Sequence, residues 1–225
     1  MMNFPRWVAV AVALPWTVAC VAASAPAAVV EDVQGKVAGV EFMDYVAVGK
    51  VIALGPKDSI VLGYLKSCWR ESITAGTVTV GEEQSTVQGG RVQRTKVGCD
   101  SGRMRLGAQE ATQSAATVFR SLRSDGQPAQ APPTIYGRSP VFEVGAQRGR
   151  LQIERREPEG EPLEIAIDAN GLVAGRFLDL ARNGVALTPG AIYVARIGAS
   201  SVEFKVDWDA APGATPIVGR LLRLE

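Results

Sequence analysis

The sequence predicts an all-β protein: two β units joined by one helix and a Pro-rich linker. Three observations carry this. Val- and Ile-dense runs between Val30 and Cys99 are broken every 8–12 residues by Gly or acidic turns. Strict period-two alternation follows in the C-terminal half, with Val202, Phe204, Val206 and Trp208 opposing Glu203, Lys205 and Asp207. Between them, a stretch with three prolines and no large apolar residue separates the two patterns. The chain of 225 residues is 47% hydrophobic, too apolar for wholesale disorder and long enough for two domains.

Residues 1–27 read as a cleaved export leader. Arg6 supplies a short positive region, Trp7 to Ala23 is almost wholly apolar, and small residues surround Ala25 and Ala27. Pro26 disfavours cleavage after Ala25, which leaves a mature start at Ala28. Thr17-Val18-Ala19-Cys20 offers a second reading, a lipoprotein anchored through Cys20, but the apolar run simply continues past that cysteine. A periplasmic or secreted protein with no transmembrane segment after processing is the expectation.

Residues 28–105 form the first β domain. Cys68 and Cys99 stay paired in an oxidising compartment once Cys20 is removed or lipidated. A disulfide between them would close a loop of about 30 residues and contribute about 3–4 kcal/mol. Trp69 is expected to pack beside it. Thr77 to Val80 alternates, Gly81-Glu82-Glu83 and Gln88-Gly89-Gly90 turn, and Arg91 to Val97 returns as a strand. Residues 106–123 are the helix, with Ala108, Thr112, Ala115, Phe119 and Leu122 near helical spacing. Residues 124–133 are the linker, of a kind that would leave the flanking units independent.

Residues 134–225 form the second β unit. Leu163, Ile165 and Ile167 share a face opposite Glu164 and Asp168, and Asn170-Gly171 and Asn183-Gly184 supply tight turns, the first read as a hairpin. Leu187-Thr188-Pro189-Gly190-Ala191-Ile192-Tyr193 resembles the tyrosine corner of immunoglobulin-like and fibronectin type III-like sandwiches. In the first unit, Gly35-Lys36-Val37, then Val46 to Pro56, Asp58 to Leu65, Ile73 and Gly76 to Gly81 resemble a FecR-type domain. That resemblance covers roughly residues 31–100 and implies an exported β scaffold in a bacterial envelope. Sigma-factor regulation does not carry over, because an export leader stands where those proteins have a sigma-binding region and a membrane crossing.

The chemistry left open is narrow. The chain contains no His, which removes His-based triads, His-ligated metal and imidazole switches. Ser101, in a protease-like Cys99-Asp100-Ser101-Gly102 run, therefore has no histidine base. Glu82-Glu83 and Glu157 to Glu161 read as solvated turns rather than a glycosidase pair. A net charge of +1 argues against nucleic acid as a partner. Arg91, Arg94, Lys96, Arg103 and Arg105 are the candidate contacts for an anionic polymer, or cations that guard an edge strand. No catalytic residue, metal site or cofactor is expected. The reading is a non-enzymatic envelope module that binds or scaffolds a protein or polysaccharide. The alternative is a signalling component whose first domain senses a partner.

Overall fold

The computed structural model describes residues 25–100, 131–157, 161–168 and 170–224. The leader with Cys20, the helix at 106–123, most of the linker, Ser101, Arg103 and Arg105 lie outside the described residues. Every regular element described is a strand, apart from one 3-10 turn at Ile217–Gly219.

Six strands build the first sheet: β1 (Pro26–Gln34), β2 (Tyr45–Ala47), β3 (Val51–Tyr64), β4 (Trp69–Thr79), β5 (Thr86–Gln88) and β6 (Arg91–Lys96). Their order is β2-β1-β3-β4, with β5 and β6 both paired to β4, and every pairing is antiparallel. The register of β3 against β4 breaks between Leu54 and Ser59. There the Asp58 carboxylate accepts from the amides of Gly55 (2.9 Å) and Lys36 (3.2 Å). Such a bulge bends a long strand, and the two halves of β3 turn Ile52, Leu54, Ile60, Leu62 and Tyr64 into one core with Ala28, Val30, Ile73 and Val78.

The second unit has eight strands: β7 (Thr134–Gly137), β8 (Val141–Glu143), β9 (Gly149–Arg155), β10 (Leu163–Ile167), β11 (Phe177–Asp179), β12 (Ile192–Ile197), β13 (Ser200–Ala211) and β14 (Leu221–Arg223). One sheet runs β10-β9-β12-β13-β7 and the other β11-β8-β14; β7 lies parallel to β13, and β14 to β8. Leu151, Ile153, Ala195, Phe204 and Val206 from the first meet Phe142, Leu178 and Leu222 from the second. Phe142 meets Phe204 edge-on at 5.9 Å, while Tyr193 stacks on Phe204 at 5.8 Å.

Two expectations need correction here. Trp208 does not continue the buried face of β13: the pairing with β7 shifts register between Val206 and Ala211, and the indole is left 72% exposed. Asn170-Gly171 does not close a hairpin, since β10 and β11 belong to different sheets. The turn instead carries the chain across the sandwich, with the Asp168 carboxylate accepting from the Gly171 amide at 2.6 Å.

A third apolar cluster belongs to both units. Val29, Met43 and Leu65 pack against Val141, Phe177, Ile217, Val218 and Leu221. Strand β1 therefore serves two cores, because alternation sends Val30 inward to its own sheet and Val29 outward to the other unit. The strand begins at Pro26, and the Ala27 carbonyl accepts from the Leu65 amide at 3.0 Å, so residues assigned to the leader are part of it. The described residues on either side of the expected helix and linker meet, since the Thr134 amide donates to the Asp100 carboxylate at 3.0 Å.

Candidate functional site

Charged and aromatic side chains converge on the junction, in two open clefts. The larger, about 760 Å³, is lined by Tyr45, Glu143, Gln147 and Arg223 among others. Short strands β2, β8 and β14 bring these residues together. The Tyr45 hydroxyl donates to Glu143 Oε2 at 2.8 Å, and Arg223 Nε forms an ion pair with the same oxygen at 2.9 Å. The guanidinium groups of Arg176 and Arg223 lie 5.2 and 4.9 Å from the centre of the Tyr45 ring. Burial, above all, raises the Tyr45 hydroxyl far beyond the ordinary tyrosine range. It is therefore a neutral donor at physiological pH, and its proton is held for Glu143.

The smaller cleft, about 480 Å³, is lined by Glu31, Arg70, Asp179, Arg182, Thr215 and Arg220, with others. Glu31 is buried at the end of the apolar part of β1, and accepts from Arg70 Nε (2.7 Å) and from the Val218 amide of the other unit (2.8 Å). Arg220 makes a bidentate pair with Asp179, at 2.6 and 3.2 Å, and also donates to the carbonyls of Ser139 and Thr215. Burying a guanidinium is costly unless its donors are satisfied to this degree. In both clefts the carboxylates of Glu143, Glu31 and Asp179 are engaged by a guanidinium. The geometry orients and locks; it offers these acids as ion-pair partners rather than as free bases.

The residues singled out by sequence fall elsewhere. Cys68 and Cys99 form a disulfide with 5.6 Å between their Cα atoms. It ties the β3–β4 turn to the chain leaving β6, and Cys99 packs against the shared junction cluster. Trp69 packs against the first core, with Lys96 4.9 Å above its ring. Arg91, Arg94 and Lys96 do lie together on β6, an edge strand paired only to β4. Arg94, however, turns to the buried Glu71, donating Nε at 2.6 Å, and to the Ser85 carbonyl at 2.7 Å. Lys96 also donates to the Ser67 carbonyl. The strand thus carries cations where an unpaired edge would otherwise invite another strand. Glu82 and Glu83 meet Lys66 at 2.6 and 3.2 Å on the surface, as turn residues.

Behind that edge, Glu71 also accepts from the Ser85 amide, and Tyr64 shares a 2.7 Å hydrogen bond with the Ser85 hydroxyl. Burial first of all pushes the Tyr64 hydroxyl up to about 12. Sequence reading missed Glu31, Glu71, Tyr45, Arg176, Arg220 and Arg223. The available signal was an acid at a position where apolar periodicity calls for a core residue, as at Glu71 two before Ile73.

Comparison of the chain with protein-family models, with curated proteins and with solved structures finds no match.

Proposed function

We propose that this chain is an exported, non-enzymatic envelope protein that acts as a binding or scaffolding module, a FecR-like β unit backed by an immunoglobulin-like sandwich. The observation that carries the reading is the junction. Two β units share an apolar cluster, and Glu31, Tyr45 and Arg176 add hydrogen bonds across it. A scaffold needs this fixed relation between its surfaces, and its functional groups here are spent on holding that relation.

Other features support the parts of the reading. The Tyr193 hydroxyl accepts from the Thr188 amide at 3.0 Å, the bond a tyrosine corner makes. The sandwich also places β9, β12 and β13 side by side opposite β8 and β11, as immunoglobulin-like wiring does. The Cys68–Cys99 bridge fits an oxidising compartment. None of the helices among the described residues is long and apolar enough to cross a membrane.

The test is expression in a bacterial host with the native N-terminus, followed by fractionation and mass spectrometry under alkylation without reductant. Immobilised protein is then challenged with purified wall polysaccharide and solubilised envelope proteins. An extracytoplasmic, oxidised protein that retains one such component is expected. A reduced cytoplasmic protein, or reproducible substrate turnover, contradicts the reading.

A further inference from the structure

Strand β1 opens at Pro26, and its first residues are held from several sides. Pro26 pairs with Ala47 of β2, and Ala28 pairs with both Val46 of β2 and Tyr64 of β3. The Ala27 carbonyl accepts from the Leu65 amide, and Leu65 is itself buried. Proline cannot donate to a ladder, and the first position of a strand is one of the few that tolerates this. Ala27 is 6% exposed and Ala28 0%, and both belong to the core of the first sheet. Ala25, by contrast, is exposed, so the chain has left the core one residue before the strand.

The sequence ends its leader-like apolar run with two Ala-x-Ala pairs, Ala23/Ala25 and Ala25/Ala27. Neither suits this strand. Cleavage between Ala27 and Ala28 would strip Pro26 and Ala27 from β1 and leave the Leu65 amide without its acceptor. It would also put a charged α-ammonium on Ala28, in the same apolar core as Val30, Val46 and Tyr64. An unpaired buried charge is costly, and an unpaired buried amide adds to that cost. Cleavage after Ala25 would spare the strand, but Pro26 in the next position disfavours it.

We infer that the export peptidase hydrolyses the Ala23–Ser24 bond, so that the mature chain keeps β1 whole. The inference rests on the export reading and names its processing site. Water adds across the amide: the C–N bond breaks, Ala23 leaves with the carboxylate, and Ser24 keeps the amine, which is protonated in water. Val21 and Ala23 put compact, uncharged residues three places and one place before the bond. The bond also falls where the apolar run from Trp7 ends. Ser24 and Ala25 then separate the new charge from the strand.

The experiment expresses the full precursor in a bacterial host and reads the exported protein by N-terminal sequencing and intact mass. A start at Ser24 is expected. A start at Ala28, at an acylated Cys20 or at any other residue overturns the assignment. Two variants test the bond itself. Ala23→Tyr places a bulky residue directly before it and should leave precursor uncut after a chase that fully processes wild type. Ala25→Tyr destroys both Ala-x-Ala pairs at an exposed position and should be processed as wild type is. The reverse pattern overturns the proposal. Melting gives a reading that does not depend on the host. Oxidised chains beginning at Ser24 and at Ala28, each released from a removable fusion, are compared. The shorter chain should fail to fold or melt lower by about 5 °C or more. Equal melting temperatures overturn the argument from β1. An exported protein that starts at Ala28 defeats the processing site and leaves the export reading standing. Unprocessed protein retained in the cytoplasm defeats both.

Discussion

The cores of the two β units and the junction between them are built by different means. Each unit's core is a set of alternating apolar residues brought face to face by strand pairing, as with Ile60 and Leu62 or Phe204 and Val206. The junction has its own apolar cluster, but around it are the Glu31–Arg70 pair, the Asp179–Arg220 pair and the Tyr45–Glu143–Arg223 group. Apolar cores tolerate volume-conserving exchange, whereas a buried ion pair fixes geometry and punishes the loss of either partner. Apart from the Glu71–Arg94 pair behind the β6 edge, the units are thus generic in their interiors and specific where they meet.

The largest effect should come from breaking the most enclosed pair. Asp179→Ala leaves Arg220, whose side chain is 2% exposed, without its carboxylate. A loss of about 3–5 kcal/mol in denaturant unfolding is expected. A loss below about 1 kcal/mol would mean that water replaces the carboxylate and the pair is not structural.

The disulfide comes next. Cys68→Ala, Cys99→Ala and the double variant should lose similar stability, about 2–4 kcal/mol. Because Cys99 also touches the shared cluster, the loss should reach the sandwich as well as the first sheet. Amide exchange in β12 that is unaffected by the double variant would return the effect to one unit alone.

The segment 101–130 sharpens the comparison in the opposite direction. Asp100 and Thr134 are hydrogen-bonded, so that segment is not required to span a gap. Replacing it with about five Gly and Ser residues should preserve the fold, because its two flanking residues already meet. A large loss of stability would show that the segment packs against the units.

The last effect shows only at alkaline pH. The unfolded chain ionises tyrosine near 10.0, while Tyr64 in the fold is pushed up to about 12 and Tyr45 higher still, both chiefly by burial. The stability they contribute is complete below pH 10 and is lost as pH rises toward and through the folded values. Tyrosinate absorbance should therefore rise in two stages, the second coinciding with unfolding, and Tyr64→Phe should reduce that second stage. A single smooth titration near pH 10 without unfolding would contradict the burial of both hydroxyls.

Most strands were legible because half-buried antiparallel strands write their faces into the sequence with period two. Thr77 to Val80, the turns at Gly81 and Gly89, and the return from Arg91 fall where alternation and turn chemistry put them. Trp208 escaped because a bulge breaks the period without a local signal. The start of strand β1 escaped for a different reason. Its run Ala27-Ala28-Val29-Val30 is apolar on both faces because it serves two cores, and beside an export leader such a run blends into the leader's tail. The junction pairs were illegible because each joins residues far apart in sequence, such as Glu31 with Val218, and neither partner alone announces the other.

The central claim is that the junction makes the two units one cooperative body. Native-state hydrogen exchange on wild type and Glu31→Ala tests it, following amides of β4 in the first sheet and β12 in the sandwich. The variant removes acceptors from both Arg70 and the Val218 amide, and should lower the opening free energy of both strands by about 1.5–3 kcal/mol. If β4 loses protection while β12 keeps it, the units open independently and the account is wrong.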